Sequence, residues 1–288
     1  MKTDKFLPFF FLLPLLFVYG VLVIYPLTTS IWFSFNDIFY DLNPTFVGLN
    51  NYFTLLNDPV FNQAMWQSII YTVGSVAGQF FIGFLMALLL NQKLKGTKHF
   101  RLIFLVTFYV STLIASYAWF IVYSQIPPGI FNNFLTMFGM QPVGWLSNVN
   151  IALFSVTLAN AWYGASYSML FIEVGLMSIP IDLYEVALVD GASLWNRFRH
   201  ITLPLVTPFL ISNLTLITMM TVNFFTMIFI MTNGGPIFAT EVLALYMWHQ
   251  GFSWGHWGIG ATIGVILLLI NVGILVFFRY FLKKGVLK

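Results

Sequence analysis

All twelve lysines and arginines of this chain fall into four short clusters, separated by long stretches that hold neither. The clusters are Lys2 and Lys5; Lys93, Lys95, Lys98 and Arg101; Arg197 and Arg199; and Arg279, Lys283, Lys284 and Lys288. Charged residues make up only 7% of the 288 positions, against 59% hydrophobic, where a water-soluble domain carries roughly 25% charge. Such a chain cannot cover itself with a solvated surface, and its natural solvent is lipid. A bilayer core takes about 20 mainly apolar residues of helix. Six stretches meet that need: 7–33, 66–90, 102–124, 150–177, 206–232 and 257–281. With six helices every base falls on one side, and the positive-inside rule puts both termini in the cytoplasm. The expected fold is therefore all-α, one polytopic membrane domain over residues 1–288 with six transmembrane helices. The pI near 9.0 reflects this topology and implies no nucleic-acid partner. The first apolar run is much longer than a signal-peptide core of about 7–15 residues and is read as a retained anchor. Without cysteine there are no disulfides and no thiolate metal sites.

The loops on the other side hold no lysine or arginine. Residues 36–64 contain Asp37, Asp41 and Asp58 with Pro44 and Gly48. Residues 125–149 read as a turn at Pro127-Pro128-Gly129, then a helix from Ile130 to Met137 in the outer interface, with Trp145 as an interfacial anchor. Residues 233–256 open on the turn signal Asn233-Gly234-Gly235-Pro236 and include Trp248, Trp254 and Trp257.

Residues 178–205, between the fourth and fifth spans, form the most informative loop. They read as two short helices along the membrane surface. Asp182 is the expected N-cap of the first, with Glu185 completing a capping box. Asp190-Gly191 supplies a turn at positive φ, and Ser193 caps the second helix. Arg197, Arg199 and His200 near the end suit the helix dipole. Leu183, Val186, Ala187 and Leu188 form an apolar face fit to dock on a partner. Local physics alone is equally content with an amphipathic connector.

Glu185-x-Ala187, Gly191 four residues later, and Ile201-x-Leu203-Pro204 ten residues beyond resemble the EAA loop of binding-protein-dependent ABC permeases. Three further segments resemble the MalF/UgpA-like sugar permeases: Phe46-Val47-Gly48-Leu49-Asn50-Asn51-Tyr52, Gly129-Ile130-Phe131-Asn132 and Thr232-Asn233-Gly234-Gly235-Pro236. The resemblance covers nearly the whole chain. Val186 stands where a second alanine is usual, and the proline often found in the third span is absent around Thr107–Tyr109, which predicts a straighter helix there.

The resemblance implies a prokaryotic cytoplasmic-membrane subunit of an ATP-driven importer for a sugar or oligosaccharide. It implies a second permease subunit forming a heterodimer, two ATP-binding subunits and an external solute-binding protein. No GxxxxGK[ST] loop is present, so ATP and Mg belong to the partner ATPases and this chain is not itself an enzyme. In that setting Asp182, Leu183, Glu185, Val186, Ala187, Leu188, Asp190, Gly191, Ile201, Leu203 and Pro204 form the ATPase-coupling loop.

Asn160, Tyr163, Gly164 and Tyr167 recur at i, i+3, i+4 and i+7 and share one face of the fourth span. Ile217, Met220, Thr221 and Phe224 form a comparable face in the fifth, with Asn223 adjacent. The resemblance makes Asn160, Tyr163, Gly164, Tyr167, Thr221 and Phe224 the substrate path, although polar and small residues also glue membrane helices together. Glu173, near the loop end of span four, is read as a carboxylate reaching the interface or pairing with a base on a neighbouring subunit. An ion-coupled secondary transporter is the rival. It calls for intramembrane acids or broken helices in two related halves; apart from Glu173 the spans lack acids, and no internal repeat is visible. No HExxH, GxSxG or paired carboxylate supports an intramembrane enzyme, and the four histidines are too scattered for a metal site.

Overall fold

The computed structural model describes residues 7–40, 43–92 and 96–286. Asp41 and the bases Lys2, Lys5, Lys93, Lys95 and Lys288 lie outside the described residues, as does the side chain of Lys284.

The chain is almost entirely helical. α1 (Leu7–Tyr19) passes through a π turn at Gly20–Ile24 into α2 (Tyr25–Ser34). β1 (Asn36–Asp37) pairs antiparallel with β2 (Thr45–Phe46), Asn36 opposite Phe46. α3 (Asn50–Leu56) and the long α4 (Pro59–Asn91) follow. Then come α5 (Thr97–Tyr109), α6 (Thr112–Val122), α7 (Ile130–Met137) and α8 (Ala152–Met177). The loop helices are α9 (Ile181–Val189) and α10 (Leu194–Arg197), the latter running through a π turn at Phe198–Thr202 into α11 (Leu203–Val222). α12 (Thr226–Met231), α13 (Leu243–Trp248) and α14 (Trp257–Val286) complete the chain.

Four helical runs among the described residues are long and apolar enough to cross a membrane: Phe11–Ser34, Pro59–Asn91, Leu194–Val222 and Trp257–Lys283. α5 and α6 together make a fifth if counted as one bent span. α8 has 26 residues, enough at 1.5 Å per residue to cross a bilayer core. It is more polar than the others because it packs against protein, burying Asn160, Ser166, Ser168 and Glu173.

Two expected spans are broken. The third is not straight: α5 and α6 meet at 100°. Val110 and Ser111 are extended, and the Tyr163 hydroxyl of α8 donates to the freed Val110 carbonyl at 3.2 Å and lies 2.9 Å from Thr112 Oγ1. A tertiary partner therefore replaces the missing helical bond, and no proline is needed. The fifth span ends its long helix at Val222. The Asn223 amide donates to the Met219 carbonyl at 2.7 Å, a side-chain bond that competes with the helical ladder, and the chain restarts at Thr226.

The chain divides into two compact units. In the first, residues 1–62 with 246–268, Asn51 is the clamp: buried, it donates to the Ser34 and Asn36 carbonyls at 3.1 and 2.9 Å. The Tyr52 hydroxyl adds a contact to Ser34 Oγ at 2.9 Å. In the second, residues 63–245 with 269–288, α4 lies close against α8 because Gly74, Gly78 and Gly83 are bare. A Cβ on Gly78 would stand 2.5 Å from that of Ala161, the close approach that small residues four apart permit in membranes. Ala87, Leu90, Met169, Ile172, Leu176, Val206 and Leu210 then join α4, α8 and α11 in one apolar core.

Asn132 organises the loop after α6. Fully buried, it donates to the Ser124 and Val143 carbonyls at 2.9 and 3.0 Å and accepts from the Val143 amide at 2.8 Å. Trp145 is not a free interfacial anchor. Its indole donates to Asn132 Oδ1 at 3.2 Å and its ring packs on Tyr123 and Phe131. Thr232 and Thr240 close the next turn, their hydroxyls 2.7 Å apart and Thr240 donating to the Gly235 carbonyl at 2.8 Å.

Candidate functional site

A cavity of about 150 Å³ opens in the second unit where the two broken spans meet α4 and α8. The periodicity of α8 brings Asn160, Tyr163, Gly164 and Tyr167 to its wall, and α11 with the break after it contributes Ile217, Met220, Thr221 and Phe224. All six residues expected on the substrate path thus line one space. Gln79 of α4 and Phe108 of α5 also line it and were not anticipated. Gln79 carried a signal, a carboxamide deep in an apolar run; Phe108 carried none among 33 phenylalanines.

The wall is mostly aromatic, with a small polar end. Tyr163 stacks on Phe224, ring centres 6.0 Å apart and planes 16° apart, and Phe108 stacks on Tyr167 at 6.4 Å and 23°. The Tyr163 hydroxyl is committed to the break between α5 and α6, so its ring rather than its oxygen faces the space. At the polar end Gln79 Nε2 donates to Thr221 Oγ1 at 3.3 Å and to the Asn160 carbonyl at 3.4 Å. Asn160 Nδ2 is buried without a hydrogen-bond partner among the described residues. Such a space suits an uncharged solute offering hydroxyl groups and apolar ring faces. No three His, Cys, Asp or Glu side chains come together as a metal site among the described residues.

Glu173 finds its base within the chain. It is 5% exposed in its side chain and pairs with Arg101, which ties α8 to α5. A base on a neighbouring subunit is therefore not required, and Arg101 does more than set topology.

The loop 178–205 presents apolar side chains outward. Leu183, Val186 and Leu188 are exposed, and Val189, Leu194 and Trp195 extend the patch beyond the expected face. Glu185 is also exposed, and Ala187 half-buried. Asp182 is not the N-cap: Pro180 holds that position with no side-chain bond, and Asp182 sits in the first turn, so no capping box forms. The proline in front moves the helix start forward by two residues.

Asp190 is the C-cap, and Gly191 follows at φ +71°. The Ala192 amide bonds to the Ala187 carbonyl at 2.8 Å and the Gly191 amide to Leu188 at 3.1 Å, a Schellman closure. Ser193 does cap α10, accepting from the Asn196 amide at 3.2 Å. The Tyr184 hydroxyl meets Thr202 Oγ1 at 2.9 Å and braces α9 against the next segment. The dipole argument for Arg197, Arg199 and His200 fails, because helix continues from Leu194 to Val222. These bases lie in the first turns of a 29-residue run, the end that favours anions. Ile201 falls in the π turn, with Leu203 and Pro204 opening α11.

The family model described as binding-protein-dependent transport system inner membrane component matches residues 79–284. The trehalose/maltose transport system permease protein MalF of Thermococcus litoralis is 35% identical over 97% of this chain and 93% of its own length. The arabinooligosaccharides transport system permease protein AraP of Bacillus subtilis is 30% identical, covering 93% and 86%. A permease chain in the crystal structure of a bacterial ABC transporter that imports alginate superposes with a TM-score of 0.84 over 96% of this chain and 95% of that one, at 22% identity. The broken helices that a secondary transporter would show are thus found here in an ABC permease fold. The relatives are translocation subunits rather than enzymes, and this chain belongs to the family of binding-protein-dependent transport system inner membrane components, multi-pass proteins of the inner membrane.

Proposed function

We propose that this chain is one membrane-spanning subunit of an ATP-driven importer for a sugar or oligosaccharide. The observation that carries the reading is the cavity between the broken spans, stacked aromatic rings on one side and Gln79, Asn160 and Thr221 on the other. Rings stack on the apolar faces of a pyranose, and amides and hydroxyls pair with its hydroxyl groups. The sugar and oligosaccharide solutes named for several relatives agree with that chemistry.

The proposed topology is six spans with both termini cytoplasmic. The length of α8 and the one-sided placement of the bases support it. The exposed patch on α9 and α10 then faces the cytoplasm and docks on one of two ATPase subunits, which hold ATP and Mg. Glu185, Leu183, Val186, Ala187 and Leu188 form the ridge; Asp182 and Asp190 bound it. Gly191 sets the angle between the two helices, and Ile201, Leu203 and Pro204 lead the motion into the membrane. A second permease subunit completes the path, and an external binding protein delivers the solute.

The test is purification of the tagged chain in mild detergent with ATPase activity measured on whatever accompanies it. An ATPase and a second permease in the complex, with Glu185→Ala loosening the ATPase or uncoupling its activity, support the assignment. A chain that purifies alone and drives solute into liposomes on an ion gradient, without ATP, overturns it in favour of a secondary transporter.

A further inference from the structure

Gln79 and Gly164 fit each other in a way that neither explains alone. Gln79 is 4% exposed and lies flat across α8 at Gly164. A Cβ on Gly164 would stand 2.3 Å from Gln79 Cδ, 2.5 Å from Oε1 and 2.8 Å from Cγ. The glycine is bare where the amide rests.

The amide is nonetheless poorly held. Its bonds to Thr221 Oγ1 and the Asn160 carbonyl, 3.3 and 3.4 Å, are beyond the usual range for N–H···O bonds. Beside it Asn160 Nδ2 is buried with no hydrogen-bond partner among the described residues. Three polar groups converge on one end of a cavity, and their hydrogen-bonding capacity is left partly unused. A buried donor in that state is stabilised by any ligand that offers it an acceptor.

We propose that Gln79 is a specificity-determining residue of this cavity: its carboxamide stands in for a ligand hydroxyl when the cavity is empty and reads one when it is filled. The assignment rests on the sugar reading above and deepens it. On loading, Gln79 exchanges its long bonds to Thr221 and Asn160 for bonds to the solute, and Asn160 Nδ2 donates to the same solute. A carboxamide both donates and accepts, as a hydroxyl does, so the pair suits adjacent hydroxyl groups. A solute lacking the hydroxyl leaves buried polar groups open and is rejected by more than the lost contact alone. Gly164 contributes room: it lets the amide lie against α8 and move.

The test compares the wild type, Q79A, G164A and the double variant Q79A/G164A. Each is assembled with its partner permease, ATPases and binding protein in proteoliposomes. Uptake of 14C-maltose and 14C-trehalose is measured with unlabelled monodeoxy analogues as competitors. G164A is expected to slow uptake roughly tenfold or more, because its methyl displaces the amide. The double variant is expected to recover to the level of Q79A. Q79A itself is expected to raise KM about five- to tenfold and to lose the discrimination against one monodeoxy analogue.

The proposal is overturned if G164A behaves as wild type, if the double variant is no better than G164A, or if Q79A ranks the analogues as wild type does. Wild-type complex that moves neither of these nor any of a panel of neutral mono- and oligosaccharides refutes the sugar reading and, with it, the hydroxyl role of Gln79. The pairing is then decided separately by thermal unfolding of the same four complexes. A Tm lowered by about 5 °C in G164A and restored in the double variant upholds the pair; no restoration refutes it.

Discussion

Gly191 shows at a single residue how the loop motif is built. Its φ of +71° is open to glycine and strained for a branched side chain by roughly 1–2 kcal/mol, although nothing crowds the position. Gly191→Val should therefore reach the membrane at normal abundance while losing uptake, and Gly191→Asn, which tolerates this conformation, should keep most of it. Normal uptake by the valine variant would remove the proposed coupling role. Asn132 makes the opposite kind of case, a side chain valuable for what it holds. Asn132→Ala strands the groups it pairs and should destabilise the protein by about 2–4 kcal/mol. Asn133→Ala, an exposed neighbour with one bond to the Pro128 carbonyl, is the near-neutral control. Thermal unfolding in detergent separates the two. The positive φ of Gly191 and the cap at Ser193 were legible because both are local. Asp182 was misread because the proline before it, also local, shifts the helix start.

Among the elements, helical periodicity made one face of α8 readable: Asn160, Tyr163, Gly164 and Tyr167 meet the cavity together. Gln79 and Phe108 come from other helices, and spacing within one helix says nothing of what faces it. The breaks after α5 and α11 were hidden for a related reason. Neither is made by proline; one is held by the Tyr163 hydroxyl and the other by the Asn223 amide, so tertiary contacts and side-chain competition decide them. The Arg101–Glu173 pair joining α5 to α8 was likewise invisible, since its members are far apart in sequence. Removing the arginine leaves a buried carboxylate without its base. Arg101→Ala should cost about 2 kcal/mol, less than a fully buried pair because Arg101 is 39% exposed. Arg101→Ala with Glu173→Gln should recover much of it. Equal unfolding temperatures for the single and double variants would show the carboxylate needs no partner.

For the molecule as a whole, the absence of cysteine makes the proposed topology directly testable. Single cysteines at Asn133 and Asn196 place a thiol in an exposed position on each side of the predicted membrane. A membrane-impermeant maleimide should label Asn133→Cys in intact cells or spheroplasts and Asn196→Cys only after permeabilisation; the reverse pattern would invert the orientation. The unbroken helix from Leu194 to Val222 has a mechanical consequence for that arrangement. Between Ser193 and Thr221 it acts as a lever of about 40 Å. If the ATPases tilt its cytoplasmic end by about 5°, the far end sweeps roughly 3–4 Å, more than a hydrogen bond can stretch. Spin labels on α10 and near Thr221 would register such a swing on ATP binding, and immobility at the second label would exclude it. A swing of that size would carry Thr221 away from Gln79 across the cavity, so that a displacement too slight to part the helices would still redraw the polar end that meets the solute.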